Sequence, residues 1–380
     1  MKLVATQDQL DLQAMVSAVL AKQCPTSLVR ELAGPTSDGI PDKLMAALAE
    51  VGVLGLAIDE EYGGGGAGLY ELGVFFREGG RVLCPSIVYS TLQFGVAVGR
   101  LASPEQRSRY LSGVAGGDLR ATVAAWNPSD AADIRPAVTA TPAPGGWLLN
   151  GTIAFAVNTS IADVVLLTAR TTVFAEPERL IGAFVNPADA GWNSVVLSTM
   201  SGEKISRVEL VDVYVSDDAV SLGESGKGLS RDDVRWVADA AVALQCMEMV
   251  GGAAAVLERT VNYVAQREQF GRSIGSFQAA QHIVADMHIS IEGARLAAAQ
   301  AVWWVARGES ATRAVAIAKM HCSEAYKRAT LDGHQLHGGM GYVLETDLHL
   351  WSERAKVTEI RFGTADIAAT WLQKELGLVR

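Results

Sequence analysis

The 380-residue sequence is poor in cysteine, in positive charge and in uninterrupted apolar runs, and each shortage closes off a class of function. Its four cysteines, Cys24, Cys84, Cys246 and Cys322, are widely spaced and form no C-x-x-C pair. That argues against a disulfide framework and for four reduced thiols, packed mostly in helices, in a cytoplasmic protein. Acidic residues outnumber basic ones by 42 to 32, giving a formal charge of -10, and no basic stripe stands out. A nucleic-acid partner is therefore not expected. The greasiest stretch, residues 237–257, is broken by Asp239, Gln245 and Glu248. It reads as a buried helix rather than a membrane span, and the mean hydropathy of +0.19 owes much to alanine. Residues 1–12 are polar and periodic, without the apolar run of a signal peptide. The cluster Gly63–Gly66 is not followed by GK[ST], so it reads as a tight interhelical loop rather than a phosphate loop. No internal repeat, linker or low-complexity tract is visible.

What is present is a change of periodicity along the chain. Leu10, Met15, Val19 and Leu20 recur at helical spacing, and Pro41 opens a second amphipathic stretch through Leu44, Leu48 and Val51. From Leu119 the texture turns to β-branched runs at 137–140, 147–149, 164–168, 180–185 and 208–215. Turn signals separate them at Pro144-Gly145-Gly146, Asn150-Gly151, Asn186-Pro187 and Gly191. After Gly226-Lys227-Gly228 long helices return, at 232–266, 274–307, 312–336 and from 348 onward. In the first of these, Val237, Ala240, Ala241, Leu244, Met247, Val250 and Gly251 share one face. The expectation is an α+β multidomain protein: a helical domain over 1–118, an antiparallel β domain over 119–220, and a four-helix bundle over 221–380.

Two segments are sharper than the rest: Tyr263-Val-Ala-Gln-Arg267-Glu-Gln-Phe270-Gly271-Arg-Ser-Ile274-Gly-Ser-Phe277-Gln278, and Gln335-Leu-His-Gly338-Gly339-Met-Gly341-Tyr342. Together with the helical–β–helical order they resemble the acyl-CoA dehydrogenase family over essentially the whole chain. The resemblance implies FAD, stretched between two subunits. Its isoalloxazine ring would lie in one subunit's cleft and its diphosphate and adenosine on a neighbour's arm. Arg267 and Phe270 match that arm, where a planar, always charged guanidinium suits phosphate oxygens. Gln278 matches a contact to the adenosine end. Gln335, Gly338 and Gly339 match the segment where absent side chains let the backbone approach the diphosphate.

The chain departs from the family where the chemistry is done. The family reaction removes an α-proton and a β-hydride from an acyl-CoA thioester, and the proton goes to a Glu placed just before a Gly-Thr pair. Here the run is Glu359-Ile-Arg361-Phe362-Gly363-Thr364, and Phe362 holds the base position. Some members carry the base on the long helix before the arm, where an ungapped count gives Ala241. Neither residue accepts a proton, although the Phe362 backbone N–H is expected to remain free to hold a thioester carbonyl. Asp239 and Glu248 are the nearest carboxylates, but Asp239 points about 200° away from Ala241 and Glu248 lies about two turns along. The usual Thr-Glu-Pro and Gly-Ser-Asp strand is replaced by Ala124-Ala125-Trp126-Asn127-Pro128-Ser129-Asp130. The usual Trp-x-Thr-Asn is replaced by Phe155-Ala156-Val157-Asn158, so a hydroxyl is lost at Val157.

Groups serving the chain's own flavin ring are thus degraded, while the arm serving a neighbour's FAD is intact. The resemblance then implies a heterotetramer with a second acyl-CoA dehydrogenase-like chain carrying the catalytic Glu. Such assemblies occur among actinobacterial enzymes that shorten steroid side chains. An acyl-CoA substrate, of fatty or steroid side-chain type, and an electron-transferring flavoprotein are expected from the family. The alternatives are a self-sufficient flavoenzyme with an unrecognised base and a non-enzymatic scaffold or acyl-CoA-binding protein. His334 and His337 stand one helical turn apart without a third ligand, so packing near the adenosine is expected rather than a metal. Trp303-Trp304 is expected in the bundle core, and Glu203-Lys204 and Arg231-Asp232-Asp233 as solvated charge.

Overall fold

The computed structural model describes residues 5–34, 37–171, 179–223 and 226–378; the first four residues of the polar N-terminal reading lie outside these. Six helices come first: α1 (Gln7–Gln23), α2 (Thr26–Ala33), α3 (Asp42–Glu50), α4 (Leu69–Arg81), α5 (Ser86–Leu101) and α6 (Pro104–Gly116). Local chemistry sets their ends. Thr6 and Gln9 make a capping box on α1, and Ser103 and Gln106 make another on α6, where Pro104 pre-sets the first turn. The loop before α4 needs its glycines: a Cβ at Gly64 would overlap the Ile58 carbonyl, because residues 65–67 hydrogen-bond back onto residues 55–58.

The middle of the chain forms β1 (Ala121–Ala124), β2 (Val138–Ala143), β3 (Gly146–Val157), β4 (Val164–Thr171), β5 (Arg179–Val185), β6 (Trp192–Leu197), β7 (Ile205–Ser216) and β8 (Val220–Ser221). They build one sheet ordered β6-β7-β3-β2-β4-β5-β8, with β1 also on β4. The sheet is mixed, not antiparallel as the turn signals suggest: β1 and β2 both run parallel to β4. Parallel pairing needs a long crossover. The loop 125–137 and the β2–β3 hairpin supply it together, turning the chain so that β4 enters beside β1 in the same direction. Edge strand β6 leaves Val195 and Val196 exposed, so alternation does not reveal it.

The last part comprises α7 (Arg231–Gln266), the short pair β9 (Glu268–Gln269) and β10 (Arg272–Ser273), α8 (Gln278–Val305), α9 (Thr312–His337), α10 (Leu348–Ile360) and α11 (Ala365–Glu375). α7, α8 and α9 pack on one another, with α10 and α11 against α9. Helix α7 is long and apolar enough to cross a membrane, but 89% of its apolar window is buried inside the fold. Residues 237–253 are buried on every face, not on the single face the spacing suggests, because α4, α8, α9 and α10 surround them. Trp304 also departs from expectation. It lies 42% exposed, edge-on to Trp303 with Arg307 over both rings, on the bundle's surface rather than in its core.

α4 and α7 cross with their backbones in contact. A Cβ at Gly80 would overlap the Glu248 carbonyl, and one at Gly251 would overlap that of Arg77. Gly251→Ala is expected to destabilise the protein by about 1–3 kcal/mol, towards the upper end because the obstructing atom is backbone. Urea denaturation of the variant against the parent measures this.

Candidate functional site

α5, β1, the end of β3, α7 and the turn after α10 converge on one cleft, and the base position lies in that turn. Phe362 has φ 66°, a left-handed conformation that a bulky residue adopts only under constraint, and Gly363 follows at φ 115°. Lys319 helps hold the turn. Its fully buried ammonium donates to the carbonyls of Thr358 (2.6 Å) and Arg361 (2.9 Å) and to Gln245 Oε1 (3.2 Å). Burial pulls its pKa down to about 8.

The Phe362 N–H is not free. It donates to the Pro128 carbonyl at 2.9 Å, and the Phe362 carbonyl accepts from Ala131 N at 3.0 Å. The expected thioester donor is thus consumed by the chain's own loop. Sequence inspection could not find this, because the partner lies more than 200 residues away. The loop is fastened on two further sides. Trp371 Nε1 donates to Asp130 Oδ1 at 2.8 Å, and Arg235 donates to the carbonyls of Ala131 and Ala132. Trp126 packs edge-on against the Phe362 ring, with centroids 5.7 Å apart. Asn158 is pinned inward by Ser86 (3.1 Å) and Ser90 (2.8 Å).

What remains inside is a cavity of about 50 Å³ lined by Ser86, Tyr89, Gln93, Gln245, Glu248 and Phe362. Outside it, an apolar groove of about 400 Å³ runs past Phe155, Val157, Met200 and Ile360. Small-molecule sites span about 300–1,000 Å³, so the inner cavity admits a few waters and no acyl chain or flavin ring.

Among the described residues, no carboxylate stands in the cleft free of a partner. Ala241 is buried, and its carbonyl accepts from Gln93 Nε2 at 3.3 Å. Asp239 caps the start of α9, accepting from Ala311 N (2.9 Å), Ser310 Oγ (2.9 Å) and Thr312 Oγ1 (3.0 Å). Glu248 lines the inner cavity, but its Oε1 is 2.9 Å from Arg354 Nη1. Burial raises the Glu248 pKa and the guanidinium opposes it. Glu203, expected in solvent, is buried: Arg354 Nη1 lies 3.1 Å away and Arg361 closes on its other oxygen. Burial pushes Glu203 up, and the two guanidiniums outweigh it and hold it below the ordinary carboxylate range. Its buried position follows from the fold of the 198–205 loop against α10, for which local sequence carries no signal. Asp233, by contrast, stays partly exposed, paired with Arg100 at 2.6 Å.

Five of the six residues matched to the arm come together. Arg267, Phe270, Gln335, Gly338 and Gly339 line a cavity of about 560 Å³, joined by Tyr263, Phe277, His337 and Met340. Phe270 stands 94% exposed at φ 56°, held by the tight β9–β10 turn. Nothing obstructs the approach to Gly338 and Gly339, where an added Cβ would meet open space. Gln278 is not brought in; it is exposed on the first turn of α8, outside the cavity. His334 bonds to Ser352 (2.6 Å) and stacks on Tyr342, and His337 stacks on Tyr263. By size, exposed guanidinium and open backbone, this cavity fits the diphosphate end of FAD. The inner cavity is too small for its ring; the groove past Phe155 and Val157, at about 400 Å³, is not, but there Phe155 and Val157 stand where the resemblance expects Trp and Thr.

Residues 6–118 match the model of the acyl-CoA dehydrogenase N-terminal domain, and residues 238–377 that of the C-terminal domain. Acyl-CoA dehydrogenase IpdE2 of Mycobacterium tuberculosis is 30% identical over 352 residues, covering 90% of this chain and 89% of that protein. Among solved structures, the ChsE4-ChsE5 complex from Mycobacterium tuberculosis superposes with a TM-score of 0.88 at 26% identity, covering 100% of both chains. The Tcur3481-Tcur3483 steroid ACAD superposes with a TM-score of 0.85 at 28% identity, covering 98% of both.

Proposed function

This chain belongs to the acyl-CoA dehydrogenase family, an oxidoreductase family whose cofactor is FAD, and we propose that it is the subunit without a base in a heteromeric member. It pairs with a second acyl-CoA dehydrogenase-like chain that carries the catalytic Glu, and it lends that chain's FAD the arm built from Arg267, Phe270, Gln335, Gly338 and Gly339. One observation carries this reading: a cavity of about 560 Å³ stands open at the arm, while the inner cleft is closed to about 50 Å³. A self-sufficient enzyme needs a base and an open cavity where Phe362 stands, and a scaffold has no use for the arm. Two of the similar structures carry two-chain names, and one is titled a steroid ACAD. Both favour a two-chain assembly acting on an acyl-CoA, and the second favours a steroid side-chain substrate. An electron-transferring flavoprotein as acceptor and a cytoplasmic location belong to the same proposal. The four free cysteines suit a reducing compartment.

Held by Arg267, Gly338 and Gly339 on this side, FAD would supply the hydride acceptor of the family reaction. The residues of this chain only bind and orient. Arg267, exposed and charged, would hold diphosphate oxygens, and Gly338 and Gly339, having no side chains, would let the diphosphate lie close to the backbone. Arg267→Ala is expected to lower FAD retention in the assembly roughly ten- to a hundredfold, the cost of one charge-assisted hydrogen bond. Flavin absorbance of the chain alone, of the co-purified pair and of the variant pair after dialysis tests both claims. Unchanged occupancy in the variant pair, or full flavin in the chain alone, refutes the reading.

A further inference from the structure

His337 has a place in the arm cavity that packing alone does not explain. Its Nδ1 lies 2.8 Å from the Gly333 carbonyl one turn back on α9, so Nδ1 carries the proton and donates. Its ring lies flat on Tyr263, with centroids 4.3 Å apart and planes 20° apart, and Tyr263 Oη donates to the His337 carbonyl at 3.4 Å. The ring is therefore fixed in both tautomer and orientation. The opposite edge carries Nε2 as a bare acceptor, and the residue lines the cavity of about 560 Å³. Burial, with Arg259 nearby, holds the imidazole below its ordinary pKa and keeps it neutral.

A neutral acceptor repels phosphate oxygens and seeks an O–H or N–H donor. We propose that His337 Nε2 accepts a hydrogen bond from the nucleoside part of the ligand in the arm cavity, making His337 a specificity-determining residue for a nucleotide rather than for a bare diphosphate. The proposal rests on the arm reading above and adds a residue and a ligand atom class to it. The donor is a ribose hydroxyl or the adenine amine, the two kinds of hydrogen-bond donor that the nucleoside offers.

The test is calorimetric titration of the full chain with ADP, 2′-deoxy-ADP, 3′-deoxy-ADP and inosine diphosphate, which lacks the amine. The parent is expected to prefer ADP over one of the three analogues by about three- to tenfold, the worth of one neutral hydrogen bond. His337→Phe keeps the ring on Tyr263 and removes both nitrogens, so that preference should vanish. Two further substitutions separate binding from structure. His337→Asn keeps a donor for the Gly333 carbonyl but offers no acceptor at the Nε2 position, and should lose the preference. His337→Gln offers that acceptor without the Nδ1 donor, and should keep it. Arg267→Ala should weaken ADP and all analogues alike. If the parent binds ADP and its analogues equally, or the Asn variant keeps the preference, the His337 assignment falls and the arm stands. If the parent does not bind ADP at all, the arm reading falls with it.

Discussion

Purified without a partner, the chain is expected to leave acyl-CoA thioesters unoxidised, and Phe362→Glu is expected not to rescue it. A positioned general base is worth about 10²–10⁴-fold in rate, so restoring the carboxylate would recover much activity if the cleft were otherwise sound. It is not sound. The residue-362 N–H that should hold the thioester carbonyl is bonded to the Pro128 carbonyl, and Ala131 N closes on the carbonyl of the same residue. Trp126 packs on the Phe362 ring, and the cavity beyond holds about 50 Å³. An acyl chain would have to displace residues 126–132 from Arg235 and Trp371 before it met the new carboxylate. Anaerobic titration with a panel of acyl-CoA thioesters, following flavin absorbance, reads the outcome. Reduction by the parent chain alone would overturn the heteromer proposal. Rescue by the single substitution would show that the loop opens readily.

Arg354→Met is expected to cost about 3–5 kcal/mol of stability, because it strands two buried carboxylates. Arg354 is itself buried, spans Glu203 and Glu248, and donates to the Cys84 carbonyl, so it ties α10 to α7, to the loop before β7 and to the segment before α5. The deficit should depend on pH with a definite sign. In the parent, the depressed pKa of Glu203 contributes stability that is present above its unfolded value and lost as pH falls through the folded one. Glu248 opposes this, since burial raises its pKa and its ionised form costs stability above that value. Without Arg354 both carboxylates titrate higher, so protonation relieves the variant as the pH falls. The gap between parent and variant should be wider at pH 8 than at pH 5. Thermal unfolding at the two pH values measures it, and a gap that does not change with pH would mean the carboxylates are not what the arginine holds.

Much of this was legible in the sequence because it is written in local pattern. Helix α7 runs from Arg231 to Gln266, within a residue of the 232–266 that the return of helical periodicity predicts, since periodicity is a short-range signal. The Pro144-Gly145 turn joins β2 to β3 as its residues demand. Arg267, Phe270, Gln335, Gly338 and Gly339 meet in one cavity because each belongs to a segment whose spacing is itself the signal. Phe362 and Ala241, at the two positions the resemblance assigns to the base, are likewise read from identity alone. Three of the misses share a cause. The mixed sheet, the buried Glu203 and the consumed Phe362 N–H each depend on a partner far away in the chain.

The sequence by itself determined that Phe362 and Ala241, neither of which accepts a proton, stand where the resemblance places the base, and that the residues matched to the FAD arm are present, because side-chain chemistry is a property of the residue. Only the tertiary structure decided that the cleft is also shut. Whether a backbone N–H is free depends on which carbonyl the fold delivers to it. Here the loop after β1 delivers that of Pro128, an atom every residue possesses and no sequence pattern can single out.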